Sequence, residues 1–166
     1  MTSKTGPQPI FELVPDANSL YLIALETYER HVKSSSDVPC VLAAFIFVHS
    51  LLNWWKNEGH DVSHLVGKPY YAAIRDISNG SKHLYLDRNR TEGTTKSVGG
   101  YGQGAYGAGP YGKNYISVRG RRTPNEEAES VPAARVLYEA LGWWAAEMGF
   151  APPRSPERIH AEEGLQ

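Results

Sequence analysis

The sequence predicts a mainly α protein: a four-helix bundle with a β-hairpin or Gly-Tyr-rich insertion between its third and fourth helices. Four segments carry apolar residues at helical spacing. Each is bounded by residues that cap or break helices. Between the third and fourth, from Asp87 to Arg122, the composition changes to Thr, Gly, Lys and Tyr. At 166 residues the chain is about one domain. The helical domain covers 1–150, with the insertion at 87–124, an irregular N-terminal arm at 1–15 and a polar, flexible tail at 151–166.

The arm contains Pro7, Pro9 and Pro15, followed by Asp16 and Asn18 as alternative caps for the first helix. In SLYLIALETYERHVKS, Leu20, Ile23, Ala24, Thr27 and Tyr28 form the apolar stripe. Three serines end it. Asp37 caps the second helix, and Pro39 sits in its first turn, where a missing N–H does no harm. This helix, CVLAAFIFVHSLLNWWKNE, is apolar on nearly every side in its first half, so it should be the most buried. Gly59 stops it. Cys40, the single cysteine, reads as a buried, inert thiol, with no intramolecular disulfide or cysteine metal site open to it.

Pro69 opens the third helix, PYYAAIRDISNGSKHLYL, with Gly80 as a weak point inside it. KNYISVRG alternates and is β-branched, so a strand is expected at about 113–119, with TTKSV at 94–98 as its partner. TPNEEAES supplies caps and acids for the last helix, VPAARVLYEALGWWAAEMGF. Its apolar face runs through Val131, Ala134, Leu137, Tyr138, Leu141, Trp144, Ala145 and Met148. The pairs Trp54-Trp55 and Trp143-Trp144 each point two ways, so one ring of each pair is expected in the core and one at a surface or interface.

Charge and hydropathy narrow the function classes. The net charge of −1 gives no overall attraction to nucleic acid, leaving only the local cluster Arg119, Arg121 and Arg122. The first residues have no signal-peptide pattern. The longest apolar run, residues 41–48, is too short to cross a bilayer. A cytoplasmic protein with no membrane partner is expected.

The connection GGYGQGAYGAGPYGK repeats Gly-x-Tyr-Gly-x three times and places Tyr101, Tyr106 and Tyr111 five residues apart. Gly102, Gly104 and Gly107 match G-x-G-x-x-G, but Gly109-Pro110 and a strand follow where a phosphate loop needs a helix. Two readings stand: tyrosines that stack on bases beside Arg119, Arg121 and Arg122, or a self-packed loop covering the bundle. The second is the simpler.

The third helix concentrates its polar residues in RDISNGSKH. At 100° per residue, Arg75 and Lys82 fall within about 20° of each other and Asn79 about 40° from Arg75. Asp76 and His83 form a neighbouring stripe. The face offers cations, an acid-base group and a carboxylate to orient it; a solvated helix surface would carry the same residues. His60 and His64 have i, i+4 spacing, but Gly59 precedes them and no further ligand pattern accompanies them, so they read as loop histidines. His49 and Asn53 sit on the apolar second helix, either in the core or facing Arg75 and His83. No metal or cofactor is implied.

An Arg, a polar residue after it and a His a few positions on, carried by one helix of a small bundle, resembles the HEPN superfamily. That superfamily includes metal-independent ribonucleases, often homodimeric, in toxin, CRISPR and phage-defence systems, and members that only bind. Its active motif has four to six residues between Arg and His; here seven separate Arg75 from His83. The resemblance implies Arg75 as the group stabilising a pentacoordinate phosphate. It implies His83 as general acid or base toward an RNA 2′-hydroxyl, with Lys82 and Asn79 assisting. DISNGSKHL is also similar to a segment of small bacterial and phage proteins, some with Gly-aromatic repeats downstream. Three functions are therefore expected in order: binding and assembly, endoribonuclease activity, and a phage structural or accessory role with a Gly-Tyr contact loop. Self-association, as a homodimer or another assembly, and RNA are the expected partners.

Overall fold

The first helix begins where Asp16 accepts a 2.7 Å hydrogen bond from the Ser19 amide, satisfying one of the donors every helix start leaves open. The structure is a computed structural model and describes residues 14–34, 37–82, 94–98, 115–118 and 129–164. The arm at 1–13, the Gly-Tyr repeat and the arginines at 119–122 lie outside the described residues. Among the described residues five helices pack together: α1 (Ala17–Lys33), α2 (Val38–Asn57), α3 (Tyr71–Lys82), α4 (Ala133–Met148) and α5 (Pro156–Glu163). A 3-10 turn, Ser63–Gly67, sits between α2 and α3. Among the described residues three strands, β1 (Thr94–Val98), β2 (Tyr115–Val118) and β3 (Glu129–Pro132), form an antiparallel sheet in that order.

Each boundary has a local cause. Asp37 accepts from the Cys40 amide at 3.0 Å to open α2. Gly59, at φ 95, turns the chain after it in a conformation that side chains resist. Gly149, left-handed at φ 74, closes α4 with its amide on the Ala145 carbonyl. The start of α1 also receives help from far along the chain: Glu58 Oε1 accepts from the Ala17 amide at 2.7 Å.

The core is shared by all five helices. α2 packs against α1, α3 and α4. It buries Val41, Ala44, Phe45, Val48 and Leu51, as its apolar character predicts. α1 buries Leu20, Ala24 and Tyr28 of the expected stripe, with Tyr21, His31 and Val32 added. Tyr21 stacks on Phe150 with ring centroids 4.8 Å apart, tying α1 to the end of α4.

The structure differs from the sequence reading at several points. The last helix starts at Ala133, not Val131, because Glu129–Pro132 pairs with β2. Pro132 then stands at the helix start without a side-chain cap. α3 starts at Tyr71 rather than Pro69, after Tyr70 in a left-handed turn at φ 61. It continues through Gly80 to Lys82 without a break. Both Trp143 and Trp144 are buried, and Trp54 and Trp55 are both half-buried, so neither pair divides between core and surface. Cys40 is half-buried, its thiol donating to the Thr27 carbonyl at 3.3 Å.

The fifth helix is the largest difference. Its polar residues conceal one anchor, Ile159, which is fully buried. Arg154 just before it bonds both oxygens of Glu29, at 3.1 and 2.7 Å, and Glu162 at 2.7 Å. Tyr28 donates to the Arg154 carbonyl at 2.9 Å, and His160 Nε2 lies 3.0 Å from the Val32 carbonyl. Among the described residues no helix is long and apolar enough to cross a membrane.

Candidate functional site

α3 packs on α2 because Ala73 and Ile74 point inward and Ile77 packs beside them. That orientation decides what happens to the polar residues between. Asp76 and Ser78 are buried, with exposures of 3% and 0%. Arg75 and Asn79 are intermediate. The polar face expected from the helical wheel is therefore not one open surface. Its carboxylate goes inside, and the guanidinium follows it from the edge.

Arg75 and Asp76 form a close pair. Arg75 Nε donates to Asp76 Oδ1 at 2.8 Å, and Nη2 lies at the same distance from the same oxygen. The Arg75 side chain remains 31% exposed while that of Asp76 is 4% exposed. Burying a carboxylate this deep is costly without a counter-charge, and its sequence neighbour supplies one. Asp76 Oδ2 and Ser78 Oγ are buried with no hydrogen-bond partner among the described residues.

Of the residues singled out from the sequence, Arg75 and Asn79 share α3. Lys82 is its last residue, and its side chain lies outside the described residues, as does all of His83. Tyr101, Tyr106, Tyr111, Arg119, Arg121 and Arg122 are also outside them. His49 is half-buried on α2, the helix against which α3 packs, and Asn53 is exposed. His60 stacks on Trp55 at 3.6 Å, and exposed His64 bonds Glu147 at 2.7 Å. These two histidines thus have different partners. No group of His, Cys, Asp and Glu that could hold a metal occurs among the described residues.

Two buried polar groups were not singled out. Ser78 could have been noticed from its place between Ile74 and Ile77 on one side and the polar residues on the other. His31, 2% exposed at the end of α1, is the other. Burial pushes its imidazole down to about 4, with the Asp37 carboxylate opposing the shift. Its Nδ1 has no partner among the described residues.

Comparison with protein-family models, with curated proteins and with solved structures finds no match to this chain.

Proposed function

We propose that this chain is a small HEPN-like helical protein that acts by binding and assembly. The supporting observation is the engagement of Arg75 with buried Asp76. An arginine that stabilises a phosphorane must direct its charge at the substrate. Here that charge is matched by a carboxylate the fold cannot leave alone. The finer architecture proposed with this reading is a four-helix core, α1–α4, carrying residues 87–124 as an insertion. The Gly-Tyr repeat, with Tyr101, Tyr106 and Tyr111 near Arg119, Arg121 and Arg122 in sequence, is its contact element toward RNA or a second copy of the chain. A cytoplasmic site of action accompanies it.

The ribonuclease is the second reading, favoured by the exposed third of the Arg75 side chain on the helix that also carries Asn79. A mixed RNA pool incubated without metal with wild type, Arg75→Ala and His83→Ala separates the two. Binding and assembly predicts no cleavage above the protein-free control, together with a mass above the monomer in light scattering. Cleavage by wild type that both folded variants lose would establish the enzyme instead. A strict monomer that retains no RNA would overturn the binding reading.

A further inference from the structure

We infer that two copies of this chain associate by exchanging residues 152–163, so that α5 of each copy docks on α1 of the other. This rests on the assembly reading and gives it a surface. The face of α1 that α5 covers already has a partner fitted to it, and every copy of the chain carries that partner.

The exchanged element brings its contacts with it. Pro153 and Ile159 are buried. The Arg154 carbonyl accepts from Tyr28, and its guanidinium bonds Glu29. His160 Nε2 lies 3.0 Å from the Val32 carbonyl, and Lys33 pairs with Glu163. Tyr28, Glu29, Val32 and Lys33 all belong to the C-terminal end of α1. Pro152 and Pro153 lie beside Tyr138 and Trp143 of α4. A second copy presents the same set of partners, so exchange re-forms each of these contacts, and two mutual exchanges close a two-fold dimer.

The link between α4 and α5 has little slack. Tyr21 stacks on Phe150, and Tyr28 bonds Arg154. Seven residues of helix separate the two tyrosines, about 10 Å. Four residues from Phe150 to Arg154 reach about 12 Å when fully extended as polyproline. The strap is therefore drawn almost straight, and Pro152 and Pro153 favour that shape before docking. A tethered segment outcompetes a free one only while its tether can span the distance. Here that depends on the turn at Gly149, left-handed at φ 74.

Straightening that turn loses no backbone hydrogen bond. The Gly149 amide already bonds the Ala145 carbonyl, as in a continuous helix. The Phe150 amide bonds the same carbonyl at 2.9 Å and would move to that of Ala146. α4 then extends toward Pro152 and carries the strap away from its own α1. That leaves Tyr28 and Val32, 0% and 3% exposed in the closed chain, facing water, which favours recapture of an α5. At high concentration the α5 of a second copy supplies it.

Cross-linking tests the exchange. Two full-length chains, both with Cys40→Ser, carry Lys33→Cys and Glu163→Cys separately. They are refolded together at high concentration and treated with a short bismaleimide. The expected product joins one chain of each kind, since only α5 of one copy on α1 of another brings the two thiols together. Gly149→Ala, which opposes the left-handed turn and favours a continuous helix, should tighten dimerisation in light scattering at least about tenfold, with the helical circular-dichroism spectrum retained; if it unfolds, the cross-link alone decides. A dimer whose two chains do not cross-link would overturn the exchange and leave the assembly reading standing. A folded Gly149→Ala that associates no more tightly than wild type would also overturn the exchange. A monomer at every concentration would overturn both the exchange and self-association.

Discussion

Lowering the pH from 7.5 to 4.5 should remove roughly 2–3 kcal/mol of folding stability through His31 alone. In the folded chain its imidazole is 2% exposed and titrates near pH 4; in the unfolded chain it titrates near 6.5. Above pH 6.5 both states hold it neutral and it contributes no pH dependence. Between 6.5 and 4 the unfolded state binds the proton and the folded state does not. Stability therefore falls as pH falls, by about 1.4 kcal/mol per unit, and levels off below 4. Urea unfolding of wild type and His31→Leu, followed by circular dichroism at both pH values, reads the effect as a difference between two differences. Carboxylates held low in the fold, among them Asp16 and Glu162, lose their contribution as pH falls toward and below their unfolded values near 4. They do so in both proteins, so they cancel. A variant that loses as much stability as wild type over this interval would refute the assignment. So would a wild type whose stability is flat above pH 4.5.

Arg75→Ala should destabilise the fold by about 2–3 kcal/mol, since it leaves the buried Asp76 carboxylate without its neighbouring cation. Adding Asp76→Ala should recover part of that loss, and a double variant no more stable than Arg75→Ala in the same urea assay would contradict the pairing. Arg154→Ala removes the bonds to Glu29 and Glu162. Amides of Pro156–Glu163 should then exchange faster with deuterium, by about tenfold, while α1–α4 keep their protection. Unchanged exchange would mean that Ile159, with Tyr28 and His160, holds α5 unaided.

The four long helices were legible because each has a periodic apolar face and a cap readable one residue at a time. Asp16, Asp37 and Gly149 act at the positions their chemistry suggests. α5 was hidden for the opposite reason. One apolar residue, Ile159, has no period, and prolines at 152, 153 and 156 resemble a linker. Its attachment depends on Glu29 and Val32, more than a hundred residues earlier. The start of α4 was misplaced because Val131-Pro132 satisfies either a helix start or a strand end, and only pairing with β2 decides between them.

The helical wheel placed the polar residues of α3 on one face because it measures angles and not what surrounds the helix. With Ala73 and Ile74 directed inward, burial extends past the apolar positions to Asp76 and Ser78. Apolar residues at both sites would meet the needs of packing with no desolvation to offset. The chain instead keeps a carboxylate there, balances it with a guanidinium that is still about one-third exposed, and leaves Asp76 Oδ2 and Ser78 Oγ without partners among the described residues. Local choices that oppose stability concentrate where a fold does something besides fold. By that argument α3 is the element to mutate first. The informative comparison is between Arg75→Ala, which disturbs the buried pair, and His83→Ala, which does not remove either member of it.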